Sequence, residues 1–145
     1  MSRHEPLPDK IVARVFVYGT LLKGEGNHRL IARSRFVSEA ATRQQFTFHD
    51  LGGCPGIVRA SDIGPAQRIV GEIYEVDAAT LSELDRLEGH PTFYLRTEIE
   101  LDDGSVVSTY ILPPRYRERP VIASGSWRTH RKATSEYYHA RRPQV

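Results

Sequence analysis

Apolar residues fall in short β-branched and aromatic runs separated by glycine, proline and charge, a pattern that predicts several strands and few helices. The first run, Ile11 to Tyr18, reads as a strand and breaks at Gly19 into a glycine-rich loop that reaches Gly26. A short helix is expected near Asn27 to Arg33, with Asn27 as its N-cap. Strands are expected around Ala40 to Phe48, near Gly56 to Arg59 and from Ile69 to Val76. Tyr94 to Leu101 and Ser105 to Leu112 predict a hairpin closed by Asp102-Asp103-Gly104, because Asp-Gly is a strong turn signal. A loop after Pro113-Pro114 and a terminal helix over Thr129 to Arg141 complete the chain. Many strands without regular βαβ alternation argue an α+β fold. There is no internal repeat or low-complexity segment.

The middle helix carries a carboxylate in an unusual place. Asp77 supplies an N-cap ahead of Ala78-Ala79-Thr80-Leu81, and Gly89 followed by Pro91 supplies the stop, which bounds a helix of roughly three turns. At about 100° per residue, Leu81 and Leu84 define the buried face, and Glu88 falls between them in projection. Glu88 therefore points inward, while Glu83 and Arg86 fall on the solvent side and Asp85 at the margin. An inward carboxylate loses hydration, which raises its pKa unless a partner holds the charged form, and such a group can take and return a proton near neutral pH. Helices fray at their last turn, where the same residue would reach water or cap a neighbouring amide. The pattern alone leaves both readings open.

At 145 residues with 39% hydrophobic content, the chain is long enough for one domain with a proper core. That domain is expected to span 1–145, with 1–10 and 128–145 as terminal extensions. No apolar stretch is long enough to span a bilayer, and Met1 to Pro6 lacks the apolar region of a signal peptide, so no membrane association and a cytoplasmic location are expected. A net charge of +2 is too small to indicate a nucleic-acid surface. Arg128, Arg131, Lys132, Arg141 and Arg142 make the end of the chain locally basic, which reads as a solvated or loosely packed tail. A single cysteine, Cys54, excludes an internal disulfide and sits in a predicted turn between Gly53 and Pro55. The histidines lack the close pairing of a metal site, so no metal or other cofactor is expected. Oligomeric state has no readable signal.

Several segments taken in order resemble the gamma-glutamylcyclotransferase-like family, most closely its gamma-glutamylamine cyclotransferase branch. They are Val17-Tyr18-Gly19-Thr20-Leu21, Gly24-Glu25-Gly26-Asn27-His28-Arg29-Leu30, Pro55-Gly56-Ile57-Val58 and Val70-Gly71-Glu72-Ile73-Tyr74-Glu75-Val76-Asp77. The strongest is Leu84-Asp85-Arg86-Leu87-Glu88, with Tyr94 and Arg96 behind it; Ser124-Gly125-Ser126-Trp127 is a weaker echo. The resemblance covers most of residues 12 to 112. It implies a small mixed-strand β-barrel with a few flanking helices, and conversion of a small-molecule gamma-glutamyl compound to 5-oxoproline with release of the attached amine or amino acid. It also implies that Tyr18, Gly19, Thr20 and Leu21 line the substrate cavity and that Glu88 is the catalytic acid/base.

In that reaction the substrate's own alpha-amine attacks its gamma-carbonyl, and no enzyme nucleophile, water or metal is needed. Glu88 would act first as base toward the ammonium and then as acid toward the leaving nitrogen. The amides of Gly19, Thr20 and Leu21 would bind either the alpha-carboxylate or the oxyanion, and the sequence leaves that choice open. Tyr18, Tyr94 and Tyr110 fall in or next to predicted strands, so their rings could form cavity wall and their hydroxyls could orient substrate, although strand aromatics are first of all packing residues. Arg96 shares a strand face with Tyr94 and could bring a cation near a substrate carboxylate or near Glu88; an exposed arginine at a sheet edge is the competing reading. The alternative to an enzyme is a noncatalytic module that uses the same pocket to bind a small metabolite. Glu88 favours the enzyme, because a binder of anions gains nothing from a buried carboxylate aimed at its ligand. Substrate identity is expected to lie outside the glutamyl cavity, in the His49 to Pro55 loop and the segment after Pro113.

Overall fold

A computed structural model describes residues 10–61 and 65–140, with side chains up to residue 135. The expectations that concern residues 1–9, Arg141 and Arg142 lie outside that range. The strands are β1 (Ile11–Val17), β2 (Arg35–Ala41), β3 (Phe46–Asp50), β4 (Pro55–Arg59), β5 (Val70–Asp77), β6 (Leu95–Glu100) and β7 (Val106–Ile111). Helix α1 (Ala78–Glu88) follows β5, and helix α2 (Trp127–Ala140) ends the described chain. Short 3-10 turns occupy His28–Leu30 and Pro114–Glu118.

These strands form one mixed sheet of seven, ordered β2-β5-β1-β7-β4-β3, with β6 paired to β7. The class is α+β, as expected. Strand β7 is the hub. Its whole length pairs antiparallel with β6, from Glu100 opposite Val106 to Leu95 opposite Ile111. A strand has two edges, so β1 and β4 must share the other one, and they do: β1 meets β7 in parallel at Ser108, and β4 meets it in parallel at Ile111. The two strands fan apart from this point. Backbone groups at the split need other partners. The Tyr18 hydroxyl donates to the Tyr110 carbonyl at 2.7 Å, and the Thr109 hydroxyl donates to the Phe16 carbonyl at 2.9 Å.

The sheet curls without closing, which corrects the expected barrel. Its ends are linked among the described residues by isolated bridges alone, Thr42 to Leu101 and Phe46 to Gln67, because β1 and β4 diverge at β7 instead of continuing a single ladder. The expected strand over Ala40 to Phe48 is two strands, with Thr42 to Gln45 turning between them. Most of β2 was missed. It is an exposed strand at the end of the sheet with a bulge between Phe36 and Ser38, so it has neither a buried face nor a clean alternation to announce it. The Asp102 to Gly104 turn forms where Asp-Gly predicts it, with Gly104 at φ 84° and Ser105 bonded to Asp103.

Val15, Phe16 and Val17 at the end of β1 pack with Phe46, Phe48, Ile57, Val58, Ile73, Val76 and Leu84 into the core. Helix α1 is capped as expected: the Asp77 carboxylate accepts the Thr80 amide at 2.7 Å. Helix α2 is no loose tail. Trp127 is buried, Arg128 bonds Glu72 and the Lys23 carbonyl, His130 reaches Asp50 at 2.8 Å, and Arg131 reaches Glu25 at 2.7 Å. Among the described residues no helix is long and apolar enough to cross a membrane.

Candidate active site

The fan between β1 and β4 opens a cavity of about 240 Å³ at the end of β1. At roughly 30 Å³ per water it has room for about eight waters, the scale of one small polar metabolite. Phe16, Val17 and Tyr18 leave β1 along one wall, Cys54 and Pro55 enter β4 along another, Tyr110 of β7 forms the back, and Leu87, Glu88 and Gly89 bring the last turn of α1. Gly19, Thr20, Leu21, Phe93 and Tyr94 complete the lining with Asn27.

Glu88 reaches the cavity because α1 ends there by backbone bonding. Gly89 adopts the left-handed conformation at φ 66°, its amide bonds the Arg86 carbonyl, and the His90 amide bonds the Asp85 carbonyl at 2.9 Å. The Tyr94 amide then takes the Glu88 carbonyl at 3.2 Å. The backbone of Glu88 is thus fixed, while its carboxylate makes no hydrogen bond or ion pair among the described residues. Burial without a compensating cation pushes its pKa up to about 7. Its negative charge is felt by Tyr18, Cys54, Tyr94 and Tyr110, and helps raise the pKa of each, burial being the larger cause.

That burial has a cost in stability. A carboxyl that titrates near 7 in the fold and near its ordinary 4.5 in the open chain binds more proton when folded, so stability falls as pH rises between those values. Above pH 7 the full cost is up to about 3 kcal/mol. Glu88→Gln is therefore expected to raise the melting temperature at pH 8 and to leave it nearly unchanged at pH 4. Thermal melts at the two pH values check this, and equal shifts at both would contradict it.

The tyrosine rings lie in the wall and their hydroxyls are committed to protein acceptors. Tyr18 donates to the Tyr110 carbonyl, Tyr94 donates to the Pro55 carbonyl at 2.8 Å, and Tyr110 donates to Asp85 at 2.8 Å. Each oxygen keeps lone pairs for a cationic ligand. Arg96 is not in the cavity lining. Its guanidinium binds Asp85, whose other oxygen holds Tyr110, so Arg96 acts on the cavity through two intermediaries. Asp85 is the residue that sequence reasoning left at the margin, and it joins α1 to β7 and β6.

The glycine loop is pinned from within. The Asn27 amide donates to the Thr20 hydroxyl at 2.9 Å, the Asn27 backbone amide bonds the Thr20 carbonyl at 2.9 Å, and His28 Nδ1 donates to the Leu21 carbonyl at 2.8 Å. Asn27 makes no side-chain capping bond to the 3-10 turn it precedes, so its expected N-cap role is replaced by this clamp on Thr20. The amides of Gly19, Thr20 and Leu21 donate to no other group among the described residues. Phe93, Leu87 and Cys54 were not expected in the lining; Phe93 is the one a signal could have found, as the aromatic neighbour of Tyr94.

Gly19 is required by close approach. A Cβ there would stand 2.6 Å and 2.7 Å from Cγ and Cδ of the Pro55 ring, which cannot swing away as a flexible side chain would. Gly19→Ala is expected to destabilise the fold by about 1–3 kcal/mol and to push the loop off Pro55. Denaturant unfolding checks the first effect, and an unchanged midpoint would contradict the close contact. Among the described residues no group of three His, Cys, Asp or Glu side chains is arranged to hold a metal.

Residues 15–129 match the family model described as gamma-glutamyl cyclotransferase, AIG2-like. A putative gamma-glutamylcyclotransferase of Vibrio cholerae is 39% identical over 113 residues, covering 78% of this chain and 93% of that protein. The gamma-glutamylaminecyclotransferase of Bos taurus is 36% identical over 125 residues, covering 77% of this chain and 74% of that protein. In shape, an uncharacterized protein from Pyrococcus horikoshii aligns with a TM-score of 0.71 at 24% identity, over 90% of this chain and 100% of that one. At that identity the last likeness speaks for the fold alone.

Proposed function

The chain belongs to the gamma-glutamyl cyclotransferase, AIG2-like family, and from that premise we propose that it converts a gamma-glutamyl amine or gamma-glutamyl amino acid to 5-oxoproline and the free amine. The observation that carries the proposal is the Glu88 carboxyl, facing a metabolite-sized cavity with no described partner and pushed up to a pKa of about 7. A group in that state is half ionised near neutrality, so it serves as base and acid in one cycle.

The steps follow from the lining. The cavity folds the glutamyl chain so that the alpha-nitrogen stands against the gamma-carbonyl carbon, which supplies much of the rate by orientation alone. Glu88 takes a proton from the alpha-ammonium, and the freed amine adds to the carbonyl carbon. The carbonyl pi pair moves to oxygen as the new C–N bond forms. The open amides of Gly19, Thr20 and Leu21 offer donors to the substrate's negative oxygens, whether alpha-carboxylate or oxyanion. Glu88 then delivers that proton to the leaving nitrogen, and the oxyanion pair reforms the carbonyl as the old C–N bond breaks with its pair on nitrogen. The ring nitrogen's second proton passes through the again ionised Glu88 to the released amine, which departs as its ammonium ion with the five-membered lactam. Both nitrogens meet at one carbon, so one carboxyl reaches both.

The noncatalytic alternative fits this cavity poorly, because an ionised Glu88 repels the anionic end of a glutamyl ligand and no described cation offsets it. Turnover in water enriched in oxygen-18 tests the proposal. Lactam closure gives 5-oxoproline without the label. Labelled glutamate would mean that water, not the alpha-amine, attacks.

A further inference from the structure

Phe93 lines the catalytic cavity on one side and a second, groove-like cavity of about 360 Å³ on the other. The groove runs past Leu95, Pro113 and Pro114 to Arg59. A stack of rings leads the same way. Phe93 lies face to face with Tyr94 at 4.9 Å and with Tyr116 at 5.7 Å, and Tyr116 carries the guanidinium of Arg115 at 5.0 Å and that of Arg119 at 6.0 Å. Arg117 joins them by donating to the Arg59 carbonyl at 2.7 Å.

Among the described residues this basic platform is unneutralised, and its backbone is fixed. Among the described residues Arg59, Arg115, Arg117 and Arg119 make no ion pair, and the one acid beside them, Glu118, makes none either. The 3-10 turn that presents them is tied to β3, since His49 Nδ1 donates to the Arg119 carbonyl at 2.8 Å and the Asp50 amide to the Pro120 carbonyl at 2.9 Å. Arginines stacked on a ring keep their planar forks free for a carboxylate.

We propose that the groove, with Arg59 in its lining, and the Arg115 and Arg119 guanidiniums on the Tyr116 ring beside Phe93 together hold the amine half of the substrate, and that this half is an elongated amine with a net negative distal end, of the omega-amino acid class. The inference rests on the cyclotransferase reading, which puts the scissile bond beside Glu88 and Tyr94. Arg115 and Arg119 stand two ring steps beyond Tyr94, so a carboxylate on the carbon next to the leaving nitrogen falls short of them. A carboxylate several methylenes out reaches them, with its methylenes along Phe93, Leu95 and Pro113. An amine whose distal end is zwitterionic brings an ammonium to the same cations and loses part of the attraction; one whose distal end is cationic is repelled.

The test is a selectivity ratio, read as 5-oxoproline formed from gamma-glutamyl amides of matched length. One amide ends in a methyl group, one in a carboxylate, one is the epsilon-linked lysine zwitterion, and one ends in an ammonium. The parent is expected to prefer the carboxylate over the methyl compound by tenfold or more in kcat/KM, with the difference in KM. The combined Arg59→Gln, Arg115→Gln and Arg119→Gln variant is expected to lose that ratio, and raised salt to shrink it in the parent. The combined Arg14→Gln, Arg33→Gln and Arg35→Gln variant removes three exposed charges that line neither cavity, so it controls for net charge and is expected to keep the ratio. Turnover of all four amides at equal efficiency overturns the inference and leaves the cyclotransferase reading standing. Turnover of none overturns both.

Discussion

Glu88→Gln is expected to lower kcat on a gamma-glutamyl amide by about 10³-fold, within the usual range for one positioned acid/base. Gln has nearly the shape of Glu and cannot exchange a proton, so the substitution removes the chemistry and keeps the wall. KM is expected to change little or to fall, because the substrate's carboxylate no longer faces a negative charge. The pH dependence separates this role from a structural one. Glu88 must be ionised to take the first proton, so kcat/KM of the parent should rise with pH through a limb near 7, where burial puts the group. The residual activity of the variant should lack that limb. A variant that keeps more than a tenth of the parent rate, or keeps the limb, would remove Glu88 from the reaction.

Glu72→Ala is expected to cost about 3 kcal/mol of stability. Its side chain is 6% exposed and gathers three donors from three parts of the chain: the Lys23 amide of the glycine loop at 2.9 Å, the Tyr74 hydroxyl of β5 at 3.0 Å, and Arg128 of α2 at 3.0 Å. Removing the carboxylate strands these donors. Burial alone would raise its pKa, and the Lys23 amide, Arg128 and Tyr74 overcome that and hold it below the usual carboxylate value. The folded protein then binds less proton than the open chain, so the stabilisation is complete above the ordinary value of 4.5 and is lost as pH falls through the lower folded value. Arg128→Ala should cost less, about 1 kcal/mol, because that side chain is 44% exposed. Urea unfolding at pH 7 and pH 3 measures both. A Glu72→Ala loss below about 0.5 kcal/mol would mean the three donors find water instead.

What could be read from the sequence follows what is local. The cap of α1 at Asp77, its stop at Gly89, the Asp102 to Gly104 turn and most strands depend on neighbours in the chain and were predictable. The spacing of Glu88 to Leu81 and Leu84 offered an inward angle beside a frayed, water-facing one, and the cavity lining includes Glu88. What escaped depends on partners distant in sequence. Strand β2 exists because β5 needs an edge partner, not because its own residues alternate. The open sheet comes from β1 and β4 sharing one edge of β7, a topological fact with no signature in either strand. Arg96 looked like a cation for the substrate, and the Asp85 carboxylate that claims it sits 11 residues earlier on a helix whose crossing angle the sequence does not encode. Arg128 looked like solvated tail for the same reason: Glu72, its partner, is 56 residues away.

The measurement that tests the central claim most directly is mass spectrometry of 5-oxoproline released by the parent and by Glu88→Gln from the same gamma-glutamyl amides, with variant folding checked by its melting temperature. The account predicts 5-oxoproline and free amine in equal amounts from the parent, and only background from a variant that is folded. Product from both proteins at similar rates, or glutamate in place of 5-oxoproline, would contradict it.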